Sequence, residues 1–174
     1  GDGVLVPGGT PHAIGAGILL VEAQEPTDQS ILLERTNTAA SDDEIFLGLA
    51  RDVALTAVDT AAVDDIAQLR RHTGAHVSGL VEVLPDQAAP YFRMELLTPG
   101  ADVPAGFAVA VVLSGAGPLA AANGESIDVK AGQTLVVPAS CGDWHVDGDV
   151  RLLVCRPGTT WPPQHTPNTT EGTA

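Results

Sequence analysis

One histidine in this chain stands in a setting that gives it a chemical role. The run GDGVLVPGGTPH places Pro7 and Gly9 just ahead of His12. The pattern reads as part of a metal-site motif, with one histidine delivered. Few other residues invite chemistry. Cys141 and Cys155 fit no metal or redox spacing and read as free thiols. His72, His76 and His145 fall on polar loops or helix ends and His165 on a polar tail, so all four read as surface residues. Trp144 and Trp161 read as turn and tail packing. Asp42, Asp43 and Glu44 read as the start of a helix, where carboxylates offset the helix dipole.

The composition narrows the partners. There are 22 acidic residues against 8 basic ones, and the formal charge is −14. Such a surface repels phosphate backbones and anionic lipid, which argues against nucleic acid and membrane. No apolar run approaches the roughly 20 residues that a membrane span needs. No basic-then-apolar leader is visible, and with free thiols this sets the expectation of a cytoplasmic protein. Aromatic residues are only 3% of the chain, so Val, Leu, Ile and Ala must build the core.

The elements that would position His12 follow from the apolar pattern. From Val4 to Leu33 short β-rich runs (VLV, GILLVEA, SILLE) alternate with Gly and Pro turns. Ser41 precedes Glu44 by three residues, a capping box, and Ile45, Leu49, Val53 and Leu55 recur at helical spacing. A second short helix is expected over AAVDDIAQLRR, with Val63, Ile66 and Leu69 inward. From about Leu80 the runs GLVEVLP, YFRMELLTPG, FAVAVVLSG, PLAAANG, ESIDVKAG, QTLVVPA and VRLLVCRPG predict an all-β sandwich or barrel. The segment 158–174, rich in Pro and Thr, reads as a disordered tail.

An internal repeat organises these elements. GDGVLVPGGTPH aligns with GQTLVVPASCGD, so that Gly1 matches Gly132, Pro7 matches Pro138, Gly9 falls on Ser140 and His12 on Asp143. Each copy leads into an apolar run, GILLVEAQEP and VRLLVCRP. The organisation expected is the C-terminal strands of a first, metal-site barrel in 1–36, a helical spacer in 37–78 and a complete second barrel in 79–157.

Gly1, Pro7, Gly9 and His12 resemble the second conserved motif of the cupin superfamily, which implies a mainly β jelly-roll fold. The longer stretch VPGGTPHAIGAGILLVEAQEPTDQSILLE resembles the type I mannose-6-phosphate isomerases, with a Pro-His-Ala turn, a strand ending in glutamate and a Ser/Thr-Asp turn. That resemblance spans most of residues 1–157. It implies interconversion of mannose 6-phosphate and fructose 6-phosphate at a zinc ion. His12 would be one zinc ligand, with the others expected upstream of residue 1. Glu22 would be the acid–base group, since moving a proton between adjacent carbons needs a carboxylate beside a cation. Asp28 would shape its turn.

Where the family usually has an arginine four residues after that aspartate, this chain has Leu32. Arg35 is nearby as a substrate-binding candidate, but in a regular strand it would face the other way. In the second barrel the positions of the first cupin motif fall on Gly106, Ala108 and Val112 or Leu113, and Asp143 is the one polar survivor. That barrel is therefore expected to be metal-free and structural. The resemblance implies a C-terminal part of an isomerase, completed by an N-terminal segment of the same protein or by a second copy. The alternatives are a sugar-binding module without turnover, or another metal-dependent cupin reaction.

Overall fold

Alternation of apolar and polar residues decides most of the strands. The computed structural model describes residues 1–25, 30–36, 38–63, 65–74 and 76–161. Strands β1 (Asp2–Val4) and β2 (Arg70–His72) form an antiparallel ribbon. Two four-residue helices lie between them, α1 (Asp42–Ile45) and α2 (Arg51–Ala54). The remaining strands are β3 (Leu80–Glu82), β4 (Phe92–Leu97), β5 (Asp102–Val103), β6 (Ala108–Ser114), β7 (Ala116–Ala121), β8 (Ser126–Lys130), β9 (Thr134–Val137), β10 (Trp144–Val146) and β11 (Arg151–Pro157).

These nine strands form two antiparallel sheets, ordered β3-β4-β11-β6-β9 and β5-β10-β7-β8. The chain changes sheets at most connections, and without β3 the two orders are those of an eight-stranded jelly roll. The mainly β jelly roll expected of the second half is therefore present, with β3 added at one edge. All seven strand runs read from Leu80 onward are found. Strands β5 and β10 were not foreseen, because two and three residues are too short to display a period.

The core lies between the sheets. Leu97 of β4, Ala110 and Val112 of β6, Trp144 and Val146 of β10 and Leu152 and Val154 of β11 are at most 1% exposed. Each large apolar side chain buried there contributes about 1.5–3 kcal/mol. The outer face of the five-stranded sheet is covered too. Met94, Leu96, Leu153 and Cys155 lie under Val83, Leu84 and Ala88, with Leu5, Val21 and Ala23 packed against the same cluster. Beyond Pro157 the chain stays attached, since Gly158 N–H donates to the Tyr91 carbonyl and Thr159 N–H to that of Ala89.

The first half departs from the expected pattern. The runs around Ile18–Ala23 and Ile31–Glu34 form no strand, because no neighbouring strand offers them a ladder. Leu19 is 99% exposed, and Val4, Val6, Ile14, Ile18, Leu20, Leu32 and Leu33 are exposed with it. The capping box is real: Ser41 Oγ accepts from Glu44 N–H, and Glu44 Oε2 accepts from Ser41 N–H at 2.8 Å. The helix it starts is not continuous. It ends after Ile45 with Leu47 and Gly48 at positive φ and Gly48 N–H donating to the Asp43 carbonyl at 2.7 Å, a closure that prevents further helix. Only Ile45 of the expected stripe is buried there, whereas Leu49 and Val53 are half-exposed. The second expected helix is reduced to a 3₁₀ turn over Ile66–Leu69, and Arg70 and Arg71 are taken into β2 instead. No helix among the described residues is long and apolar enough to cross a membrane.

Candidate functional site

His12 emerges from a turn that the fold fixes at several points. Thr10 N–H donates to the Pro7 carbonyl at 3.1 Å, and Asp59 N–H donates to the Gly9 carbonyl at 2.8 Å. Gly9 has φ +82°, and a Cβ on it would meet the Ala57 carbonyl oxygen at 2.9 Å, so glycine is required twice over. The imidazole is exposed, with Nδ1 3.0 Å from the Thr10 carbonyl oxygen. A carbonyl can only accept, so the proton in that bond sits on Nδ1. In the neutral ring Nε2 then keeps its lone pair. Metal-binding histidines are commonly oriented by such a backbone carbonyl.

The other candidates are not gathered around it by any hydrogen bond or ion pair among the described residues. Glu22 is exposed, while its neighbours Val21 and Ala23 turn toward the outer face of the five-stranded sheet. Arg35 does not lie on a strand, contrary to the strand geometry expected of it. Its guanidinium is ion-paired with Asp42, the first residue of α1. Asp28 and His165 lie outside the described residues. Among the described residues no group of three or more His, Cys, Asp or Glu side chains is arranged to hold a metal. Among the described residues His12 thus stands as a single possible zinc donor, without the rest of a set. A surface hollow of about 430 Å³ against β7 and β8, lined by Asp128, Lys130 and Gln133 among others, contains none of these residues.

In the second barrel the motif positions fall as follows. Gly106 and Ala108 offer no donor side chain, Val112 is buried in the core, and Asp143 Oδ1 accepts from Ala105 N–H at 2.8 Å. Two minor readings change. Trp144 is a core residue at 1% exposure, and its indole N–H has no hydrogen-bond partner among the described residues. His145 lies on β10 between Asp102 and Asp147, at 3.4 and 3.6 Å, and is half-buried. Both cysteines are free thiols, and burial pushes that of Cys155 up.

The residues that sequence reading missed are charges on the inner face of the five-stranded sheet. Leu80 and Glu82 of β3 oppose Leu97 and Glu95 of β4, while Arg93 of β4 opposes Arg156 of β11. Arg156 is 9% exposed. Its Nη1 lies 3.4 Å from Glu95 Oε2, and Nη2 donates to the Pro104 carbonyl at 3.2 Å. Arg93 is half-buried, and its Nε donates to the Pro157 carbonyl at 3.2 Å. Glu82 Oε1 accepts from Leu84 and Met94 N–H at 3.0 and 3.2 Å, yet burial pushes its carboxyl above the usual range, with Glu95 adding to the rise. The signal was available in the sequence: Arg93 and Glu95 share the parity of Leu97, and Arg156 that of Leu152 and Val154.

No protein-family model matches the chain, and no curated protein matches it. Solved structures do. A mannose 6-phosphate isomerase from Bacillus subtilis is 18% identical with a TM-score of 0.42, the match covering 59% of this chain and 32% of that one. This chain thus spans about a third of that isomerase. A cupin protein from Bacteroides fragilis is 18% identical with a TM-score of 0.36, over 60% of this chain and 95% of that one. An RmlC-like cupin from Desulfovibrio desulfuricans is 22% identical with a TM-score of 0.34, over 44% of this chain and 77% of that one. At these identities the likeness concerns the fold alone.

Proposed function

We propose that this chain is part of a zinc-dependent, cytoplasmic aldose–ketose isomerase acting on a phosphosugar, mannose 6-phosphate being the substrate to test first. The observation that carries the reading is the His12 imidazole, whose Nδ1 proton is held by the Thr10 carbonyl and whose Nε2 lone pair remains open. His12 would supply one zinc donor, and the other donors would come from a further N-terminal segment or a second copy. A bound zinc ion would supply positive charge for an oxyanion developing on the sugar. Glu22 would take a proton from one carbon of the sugar and return it to the next, a task suited to an accessible carboxylate.

A sugar-binding module without turnover is the second reading. It is favoured by Leu32 in the arginine position and by the engagement of Arg35 with Asp42. Zinc content and mannose 6-phosphate turnover of the full-length protein separate the two. The isomerase reading expects His12→Ala to lose zinc, and Glu22→Gln to keep zinc while losing about 10²–10⁴-fold in rate. Turnover unchanged in both variants would remove the site assignment. Saturable sugar binding without turnover would select the binding module.

A further inference from the structure

The two sheets of the second half have four edge strands, β3, β5, β8 and β9, and three of them are guarded. Edges need such protection, because an unpaired row of backbone N–H and C=O groups is a template for another chain. Strand β5 is two residues long and β3 three. Strand β1 also comes up against the end of β3, where a Cβ on Gly3 would meet the Val83 carbonyl oxygen at 1.8 Å. Strand β8 carries Asp128 and Lys130. Strand β9 has none of these devices. Its residues Thr134, Leu135, Val136 and Val137 include no charge and no proline.

The phase of the hydrogen bonds shows which groups of β9 are left over. Bonded pairs alternate along an antiparallel ladder. Val112 N–H donates to the Gln133 carbonyl at 2.9 Å, so Ala110 with Leu135 and Ala108 with Val137 are the bonded pairs of β6 and β9. The N–H and C=O groups of Thr134 and Val136 therefore face away from β6, and no partner for them is found among the described residues. The Val136 side chain is 67% exposed. On the same outer face Val109 and Val111 of β6 are half-buried, and Phe107 and Leu113 are exposed. Neither β6 nor β9 holds a charged residue, in a protein whose formal charge is −14.

We propose that β9 pairs antiparallel with β9 of a second copy about a two-fold axis, joining two five-stranded sheets into one continuous sheet. The outward backbone groups of Thr134 and Val136 alternate as donors and acceptors, and another strand satisfies them together. The absence of charge says whose strand it is. A two-fold contact sets each surface against itself, so an edge bearing acids would repel its own copy. In a chain this acidic, a neutral edge flanked by apolar side chains is self-complementary, and a basic partner finds nothing here to pair with. Residues opposite each other across the new ladder share a sheet face, so Val136 would lie opposite Val136 or Thr134 of the second copy. This contact is separate from segment 1–36 and from His12, and it stands whether or not the isomerase reading holds.

Sedimentation velocity over a concentration series, with amide hydrogen exchange at its two ends, tests the proposal. Wild type should pass from monomer to dimer, and the Thr134 and Val136 amides should become protected as the dimer forms. Val136→Lys sets a charge against its own copy and should weaken dimerisation about tenfold or more. The substitution changes an exposed side chain, so the dilute monomer should keep its melting temperature. Ser126→Lys, on the guarded edge β8, should leave the dimer unchanged. A protein that stays monomeric up to millimolar concentration would overturn the proposal, leaving the edge to a strand of another protein. So would a dimer whose Thr134 and Val136 amides gain no protection. A dimer that survives Val136→Lys but is lost in Leu19→Lys would put the exposed apolar runs of the first half between the copies, and would overturn it too.

Discussion

The Arg156 guanidinium and the Glu95 carboxylate form an ion pair inside the jelly roll, with side chains 8% and 13% exposed. Their strands are neighbours, and Arg156 also ties β11 to the chain leading out of β5 through Pro104. Buried pairs of this kind add little over well-packed apolar residues, but removing one partner strands the other. Glu95→Gln should therefore destabilise by about 3 kcal/mol. The double variant Glu95→Leu with Arg156→Met should recover most of that loss. Urea unfolding of both variants checks the pair of outcomes; equal destabilisation in both would count against them.

Glu82 predicts a pH dependence of definite sign. Its carboxyl is raised in the folded protein, mainly by burial, so the folded state retains a proton that the unfolded chain has already released. Stability contributed by this group is full below the unfolded carboxyl pKa. It falls as pH rises through the folded value. Glu82→Gln keeps an oxygen for the Leu84 and Met94 N–H groups and removes the ionisation. Its melting temperature should exceed that of wild type at pH 7, and the difference should shrink on acidification.

Gly115, between β6 and β7, is irreplaceable on two counts. Its φ is +78°, and a Cβ there would lie 1.3 Å from the Asp149 carbonyl oxygen. Backbone cannot step aside as a side-chain tip can. Gly115→Ala should cost about 3 kcal/mol or more, at the severe end for single substitutions. A denaturation midpoint close to wild type would show that the turn has another conformation available.

The two tryptophans should be separable by fluorescence. Trp144 is 1% exposed and Trp161 63% exposed. In Trp161→Phe the emission should move to shorter wavelength and become insensitive to iodide. In Trp144→Phe the residual emission should be red-shifted and readily quenched. Iodide quenching that persists in Trp161→Phe would place the indole of Trp144 outside the core.

The second half of the chain was legible because its information is local. Runs such as AVAVVLS and RLLVCRP carry both the strand and its inner face in their alternation. The same alternation put Arg93, Glu95 and Arg156 inside, and reading the runs only for apolar content hid it. The first half was less legible for a different reason. GILLVEA and SILLE have strand-forming residues, yet a strand exists only with a neighbour to accept its hydrogen bonds, and neither run finds one among the described residues. Likewise Ser41 and Glu44 announced a helix start correctly, but nothing in the apolar spacing of Ile45, Leu49 and Val53 revealed that the backbone reverses at Leu47. The turn carrying His12 was readable from Pro7 and Gly9. Its anchorage to Ala57 and Asp59 was not, because that contact joins segments far apart in sequence.

Strand β11 is hydrogen-bonded to β4 on one side and β6 on the other, and it follows every other strand of the two sheets in the chain. A nascent chain that has not yet emerged through residue 157 therefore holds β4 and β6 with a vacant lane between them. Until that lane fills, two bare strand edges and the apolar side chains between them face solvent or a chaperone. Closure of this jelly roll on the ribosome must wait for β11, and a premature stop before Arg151 yields no smaller jelly roll but a sheet in two pieces.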